Sequence, residues 1–163
     1  MTCAVLVLVA PASRLPASGE TPRARHARAY EAAYALDFDE ARSLFARAIA
    51  EDATDGASHR GLATVAWLEI AFSRGTITVE ELLGSARQIV DLEPPPPALA
   101  GAFTAHIARA AEAAERAVSA RPRDPEAHYQ LGAVEGLRAA YTATIEGRVV
   151  AAFRPAKRAF DAH

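Results

Sequence analysis

The chain has very few of the residues that build covalent or metal-linked sites. Cys3 is the only cysteine among 163 residues, so neither an internal disulfide nor a paired-cysteine metal or redox motif can form. The sequence lacks the short motifs of zinc proteases, serine hydrolases, phosphate-binding loops and dinucleotide-binding loops. Its histidines are scattered singly, whereas a tetrahedral zinc site needs convergent ligands. We therefore expect no metal, no cofactor and no enzymatic activity.

Lysine is almost absent, and charge of one sign is nowhere concentrated. Lys157 is the only lysine, and the formal net charge is −2, with acidic and basic residues interspersed along the chain. A surface that binds nucleic acid needs a basic stripe or patch. The sequence therefore predicts no nucleic-acid partner.

No apolar run is long enough to span a membrane. The run at residues 3–10, CAVLVLVA, is less than half the length that a transmembrane helix needs. It resembles the hydrophobic part of a signal peptide, although no lysine or arginine precedes it. We interpret residues 1–22 as an apolar leader and linker and expect export to the periplasm or cell envelope. If the leader is not a signal peptide, a cytoplasmic location is the alternative.

What the sequence does contain is alanine, which makes up about a quarter of the chain and is the strongest helix former. With 51% hydrophobic and 23% charged residues, the chain is expected to fold as one domain with an apolar core. No stretch of useful length alternates between apolar and polar residues as a half-buried strand does. The predicted fold class is all-α.

Helix-start and helix-stop residues predict six long helices and one short helix. The long helices are predicted at residues 23–36, 38–51, 57–74, 98–120, 126–146 and from 149 onward. Thr78 is expected to cap the short helix, and Pro94–Pro97 to force an extended segment after it. Pro155 is expected to kink or restart the last helix.

Small residues and phenylalanine recur at helical spacing. Ala41, Phe45 and Ala48 lie at i, i+4 and i+7 and so share one helix face. A similar alanine triplet at residues 110–117 lies about two 34-residue periods further along. This spacing indicates closely packed helical hairpins. The alternative is an alanine-rich bundle in which the spacing has no repeat meaning.

Glycines inside the helices give a second packing prediction. Gly61 and Gly132 stand early in two helices, where a neighbouring helix can approach closely. Gly136 follows Gly132 by four residues and is expected to extend that contact. Trp67 lies in an apolar helix and is predicted to belong to the core.

The segments DFDEARSLFARAIAEDATD and AAERAVSARPRDPEAHYQLGAVEG resemble the tetratricopeptide repeat family, in the divergent form of bacterial exported or cell-envelope proteins. The resemblance covers residues 23–163, with residues 76–97 as an insertion. Ala53 stands where the family usually has proline, and Glu135 where it prefers an aromatic residue. The resemblance implies antiparallel helical hairpins stacked as a short α-solenoid, whose concave face binds a peptide or partner protein.

In that family the first helix of each hairpin lines the concave face. The resemblance therefore implies a partner-binding groove formed by Arg23, His26, Tyr30, Tyr34, Ser58, Leu62, Val65, Tyr129, Ala133 and Leu137. Tyr30 and Tyr34 share a helix face, and packing between helices is an equally good interpretation of this pair.

These observations predict a non-enzymatic protein–protein interaction module. One alternative is a structural subunit that self-associates through its last hairpin, since the sequence shows no polar capping helix after it. The other alternative is a helical domain that binds a small molecule.

Overall fold

The computed structural model describes residues 21–75 and 93–162, and within them the fold is all-α, as predicted. Six helices follow one another with no strand in these two ranges. They are α1 (Pro22–Tyr34), α2 (Phe38–Glu51), α3 (Gly56–Ser73), α4 (Pro97–Ala120), α5 (Pro125–Thr144) and α6 (Val149–Asp161). The predicted leader, the predicted short helix after Thr78 and residues 76–92 of the predicted insertion lie outside the described residues.

Polar side chains begin the helices at the predicted places. Thr21, Asp37, Asp55 and Asp124 precede α1, α2, α3 and α5, and each accepts a hydrogen bond from a backbone N–H of the first turn. Such caps pair donors that a helix leaves unsatisfied at its start. The local sequence therefore fixes where most of the helices begin.

The helices differ from the prediction at several places. α1 ends at Tyr34, two residues early, because Leu36 takes a left-handed conformation (φ 64°) and the N–H of Asp37 closes the turn on the carbonyl of Ala32. Pro97 is helical rather than extended, since the first turn of a helix tolerates a missing N–H. α6 runs through Pro155, which does not restart it.

The helices stack as consecutive hairpins. Each described helix packs against the next one along the chain, and α3 also contacts both α1 and α5. Among the described helices, α2, α4 and α6 make no such contacts with one another. The odd-numbered helices therefore form one layer, and the even-numbered helices lie behind it.

Two buried clusters hold this stack together. The first joins α1, α2 and α3 through Ala29, Ala33, Ala41, Leu44, Phe45 and Val65. The second joins α3, α4 and α5, where the rings of Phe103 and Tyr141 stack with centroids 3.7 Å apart. Alanine is frequent in both clusters, because its small side chain lets helix backbones approach closely.

The glycine predictions are right at one position and wrong at another. A Cβ atom added at Gly61 would lie 2.3 Å from a ring carbon of Phe45, so the predicted close approach is confirmed there. At Gly136 the prediction of close packing is wrong, because no atom lies within 4 Å of an added Cβ. Gly136 borders an open space instead.

Candidate functional site: a tyrosine-lined groove

A cavity of about 450 Å³ opens between the three odd-numbered helices. We call it the tyrosine groove, and it is lined by Tyr30, Tyr34, Arg60, Thr64, Trp67, Tyr129, Ala133, Gly136, Leu137 and Ala140. The small side chains of α5 leave the space open, and the large side chains of α1 and α3 form its walls.

Three of the four aromatic residues that line the groove are tyrosines. The rings of Tyr30 and Tyr34 stack with centroids 6.3 Å apart, and Tyr34 and Tyr129 are 69% and 50% exposed. Tyr30 also sets its ring edge-on against the buried Phe45, with centroids 5.1 Å apart. Tyr30 is therefore anchored in the first core cluster, whereas the ring of Tyr34 faces solvent.

Arg60 brings a positive charge into the groove. Its guanidinium carbon lies 5.7 Å from the centroid of the Tyr129 ring, a cation–π geometry that orients the side chain. Its Nη1 atom is buried and has no hydrogen-bond partner in the described part of the chain. A buried donor without a partner costs about 1–3 kcal/mol.

Trp67 lies at the boundary between core and groove. The side chain packs against the second core cluster, as predicted, but it also lines the groove. Its Nε1 donates a hydrogen bond of 3.0 Å to Oγ1 of Thr144. This bond fixes the indole plane, so Trp67 is a rigid part of the groove floor.

Five of the ten residues predicted for the groove line it, namely Tyr30, Tyr34, Tyr129, Ala133 and Leu137. Tyr129, Ala133 and Leu137 are the predicted residues that α5 contributes to its lining. On α1, Arg23 is exposed but lies outside the groove, and His26 turns toward the start of α3.

The predicted register of α3 is wrong. Ser58 and Val65 are buried, and Leu62 packs against the first core cluster, because this face of α3 contacts α1 and α2. None of the three lines the tyrosine groove.

The residues of α3 that sequence reasoning missed have the same spacing, two positions later. Arg60, Thr64 and Trp67 lie at i, i+4 and i+7 and face the groove. The combination of one arginine and one tryptophan on a single face was the available signal, since both residue types are enriched at interfaces.

His26 and Ser58 meet in a polar junction with Asp55. Nε2 of His26 lies 2.8 Å from Oγ of Ser58 and 3.2 Å from Oδ2 of Asp55. The Ser58 hydroxyl donates a 2.6 Å hydrogen bond to the same carboxylate. Burial favours a higher pKa for Asp55, but hydrogen bonds from the Ser58 side chain and backbone N–H and the charge of His26 lower the pKa overall.

This junction does not have the geometry of a nucleophilic serine site. Such a site needs a histidine that takes the serine proton on one ring nitrogen while a carboxylate holds the other nitrogen. Here Ser58 and Asp55 meet the same nitrogen of His26, and Ser58 has no exposed surface. The junction instead ties α1 to the N-terminus of α3.

A second histidine contact joins α3 to α4. Nδ1 of His59 lies 3.0 Å from Nδ1 of His106, so one of these atoms donates a hydrogen to the other. Burial, and then the nearby charge of His59, lower the pKa of His106. Within residues 21–75 and 93–162, no group of three or more potential ligands is placed to hold a metal ion.

None of the helices that the structure describes has the length and apolar character needed to cross a membrane. Comparison of the chain with protein-family models finds no matching family, and comparisons with curated proteins and with solved structures find no significant match.

Proposed function

We propose that this protein is a non-enzymatic interaction module that binds a peptide segment of a partner protein in the tyrosine groove. The observation that carries the proposal is the meeting of Tyr30, Tyr34 and Tyr129 with Arg60 and Trp67 around one cavity. Tyrosine, tryptophan and arginine dominate the energetics of protein interfaces.

The chemistry of the groove favours a peptide over a small apolar ligand. Tyrosine rings offer apolar faces together with hydroxyl groups at their rims, which suits a peptide with alternating side chains and backbone carbonyls. Arg60 lines the groove, and its guanidinium can donate to one carbonyl or carboxylate oxygen of that peptide. The expected ligand is therefore an extended segment with at least one apolar side chain next to this acceptor.

The test begins with a library of random peptides displayed on phage and selected on the immobilised protein. Binding of a selected peptide is then measured through Trp67, which is the only tryptophan of the chain and lines the groove. A change in its emission on titration reports occupancy of this site rather than of another surface.

Two variants locate the binding within the groove. Replacing both Tyr30 and Tyr34 by alanine is expected to weaken peptide binding by about 1–4 kcal/mol, as removal of aromatic anchors does. Because Tyr30 also contacts Phe45, the single change Tyr34→Ala separates lost binding from lost stability. A double variant that melts far earlier yet keeps its affinity would assign these tyrosines to the core.

Filling the groove gives an independent test. Gly136→Phe places a ring in the open space without a clash at Cβ, and Gly101→Phe is its control, since Gly101 is exposed on α4 and also has no atom within 4 Å of an added Cβ. We expect Gly136→Phe to abolish peptide binding and Gly101→Phe to preserve it. Equal affinity in both variants would exclude the tyrosine groove as the binding site.

A further inference from the structure

The last described helix presents two different faces. Ala152 and Pro155 are buried on the side where α6 packs against α5. Val150, Phe153, Lys157 and Phe160 lie at i, i+3, i+7 and i+10 and share another face. We call this second set the outer face of α6.

The outer face exposes large apolar side chains. Val150, Phe153 and Phe160 are 83%, 70% and 81% exposed, whereas the apolar side chains of a soluble surface are usually scattered singly. Phe153 and Phe160 protrude from the ridge of α6, whereas Val150 also borders a cavity between α4, α5 and α6. A partner helix or peptide is normally received by a groove, so the shape favours a surface into which the side chains insert.

Positive charge accompanies the apolar side chains. Residues 148–162 contain four basic residues and one acidic residue, although the whole chain has a net charge of −2. Lys157 lies between the two phenylalanines on the outer face and forms an ion pair with Asp161. Arg154 borders the cavity between α4, α5 and α6 and forms no hydrogen bond or ion pair with any residue that the structure describes. Arg158 is held by Glu135, so Arg154 is the cation most available to a partner.

We propose that the outer face of α6 binds the surface of a membrane that contains anionic lipids. A helix that rests on such a membrane places apolar side chains at the boundary between headgroups and acyl chains and leaves its cations among the headgroups. The protruding phenylalanines match the apolar layer, and Arg154 matches the headgroup layer. This contact is peripheral and needs no spanning helix.

Charge argues against a second copy of the chain as the occupant. In a two-fold dimer each face meets itself, so the Arg154 side chains of both copies would be brought together around the apolar contact. Like charges held close together oppose association. An anionic surface brings the opposite sign to the same cations.

The test is flotation of the full chain with two kinds of vesicle, one of phosphatidylcholine alone and one with about a quarter phosphatidylserine. We expect stronger partitioning into the anionic vesicles and a loss of this preference at high salt, since salt screens the attraction. The apolar residues 3–10 are present in every variant, so their contribution cancels when variants are compared. Equal partitioning of the unaltered chain into both vesicles would overturn the proposal.

Matched variants assign the binding to the outer face. Phe153→Ser with Phe160→Ser is expected to lower partitioning into the anionic vesicles about tenfold or more, whereas Phe72→Ser, at an exposed phenylalanine of α3, leaves it unchanged. Arg154→Gln is expected to lower it about fivefold, and Arg123→Gln, at an exposed arginine before α5, to leave it unchanged.

Melting curves and sedimentation complete the design. The double serine variant should melt like the unaltered chain, because the side chains of Phe153 and Phe160 are both exposed. If it unfolds instead, the difference in vesicle partitioning between Arg154→Gln and Arg123→Gln tests the proposal. Unchanged partitioning in the outer-face variants would overturn the proposal. So would a concentration-dependent dimer that the double serine variant abolishes, since a second copy would then cover the face.

Discussion

The contact between Gly61 and Phe45 gives the sharpest test of how α2 packs on α3. A Cβ added at Gly61 would lie 2.3, 2.4 and 2.6 Å from three ring carbons of Phe45, whereas carbon atoms in contact normally stay about 3.5–4.0 Å apart. The ring must therefore move by about 1 Å. It has no free space for this, because Phe45 is fully buried and touches Tyr30 edge-on.

The expected cost of Gly61→Ala follows from two opposing terms. Alanine is better than glycine inside a helix by about 1 kcal/mol. Overpacking of a closed core costs about 1–3 kcal/mol, and contact with three ring atoms places Gly61 at the upper end of that range. The net loss should be about 2 kcal/mol, which corresponds to a melting temperature lower by about 4–8 °C for a chain of this size.

Replacing glycine by alanine at an open site should raise the stability of the protein instead of lowering it. Gly136 lies in a helix with no atom within 4 Å of an added Cβ, so Gly136→Ala should raise stability by about 0.5–1 kcal/mol. Urea unfolding followed by far-UV circular dichroism measures both variants against the unaltered chain. The slope with denaturant should stay constant, because neither change alters the surface that unfolding exposes.

A second substitution identifies the clash itself. Phe45→Leu removes the ring, so Gly61→Ala should cost less in that background than in the unaltered chain, and the two changes should not be additive. If Gly61→Ala instead proves as stable as the unaltered chain with an unchanged slope, the Phe45 ring does not rest on Gly61 and the described seam between α2 and α3 is wrong.

Two further predictions concern buried polar contacts. The pKa of His106 lies below its ordinary value of 6.5, so the folded protein binds fewer protons than the unfolded chain at acid pH. The contribution of His106 to stability should therefore be complete above about pH 6.5 and should be lost as the pH falls below it, and this loss should be smaller in His106→Gln. Urea midpoints at about pH 7.5 and 5.5 measure the difference. Equal pH dependence in both proteins would assign the effect to other groups. Glu135 is 3% exposed, and its two carboxylate oxygens each lie 3.0 Å from a guanidinium, of Arg138 and of Arg158. Both arginines can regain water when the carboxylate is removed. Glu135→Ala should therefore lower the free energy of unfolding in urea by about 1–3 kcal/mol, which is below the range for a fully buried pair. An unchanged midpoint would mean that this contact does not hold α6 against α5.

The sequence predicts the helices well because the signals that start and end them are local. Thr21, Asp37 and Asp55 cap the helices that they precede, and each signal lies within a few residues of the backbone groups that it satisfies. The end of α1 at Tyr34 was less predictable. Leucine at position 36 occupies a left-handed conformation that usually takes glycine.

The groove register of α3 could not be read in the same way. Helix α3 contacts α1, α2, α4 and α5, so apolar residues occur around much of its circumference and no single stripe marks the core. Ser58 and Arg60 are both polar and stand two positions apart, yet Ser58 is buried and Arg60 lines the groove. On α5, Tyr129 and Leu137 line the groove, while Glu135 is buried on the same helix.

Contacts between distant residues carry no local signal. His59 and His106 are separated by most of α3, the α3–α4 connection and the first half of α4, and only the packing of these helices brings their rings together. Glu135 likewise looked like a departure from a repeat pattern, at a position where an aromatic residue was expected. The structure gives this carboxylate a partner on α6, Arg158, so the departure has a structural role.

Small side chains have opposite effects in different parts of this fold. Ala110 on α4 is buried in the contact with α3, where its size lets the helices approach. On α5, Ala133, Gly136 and Ala140 line the open groove together with Trp67 of α3. Composition therefore predicts helices that can pack closely, but the neighbouring helix decides whether a small residue closes a seam or leaves a binding site open.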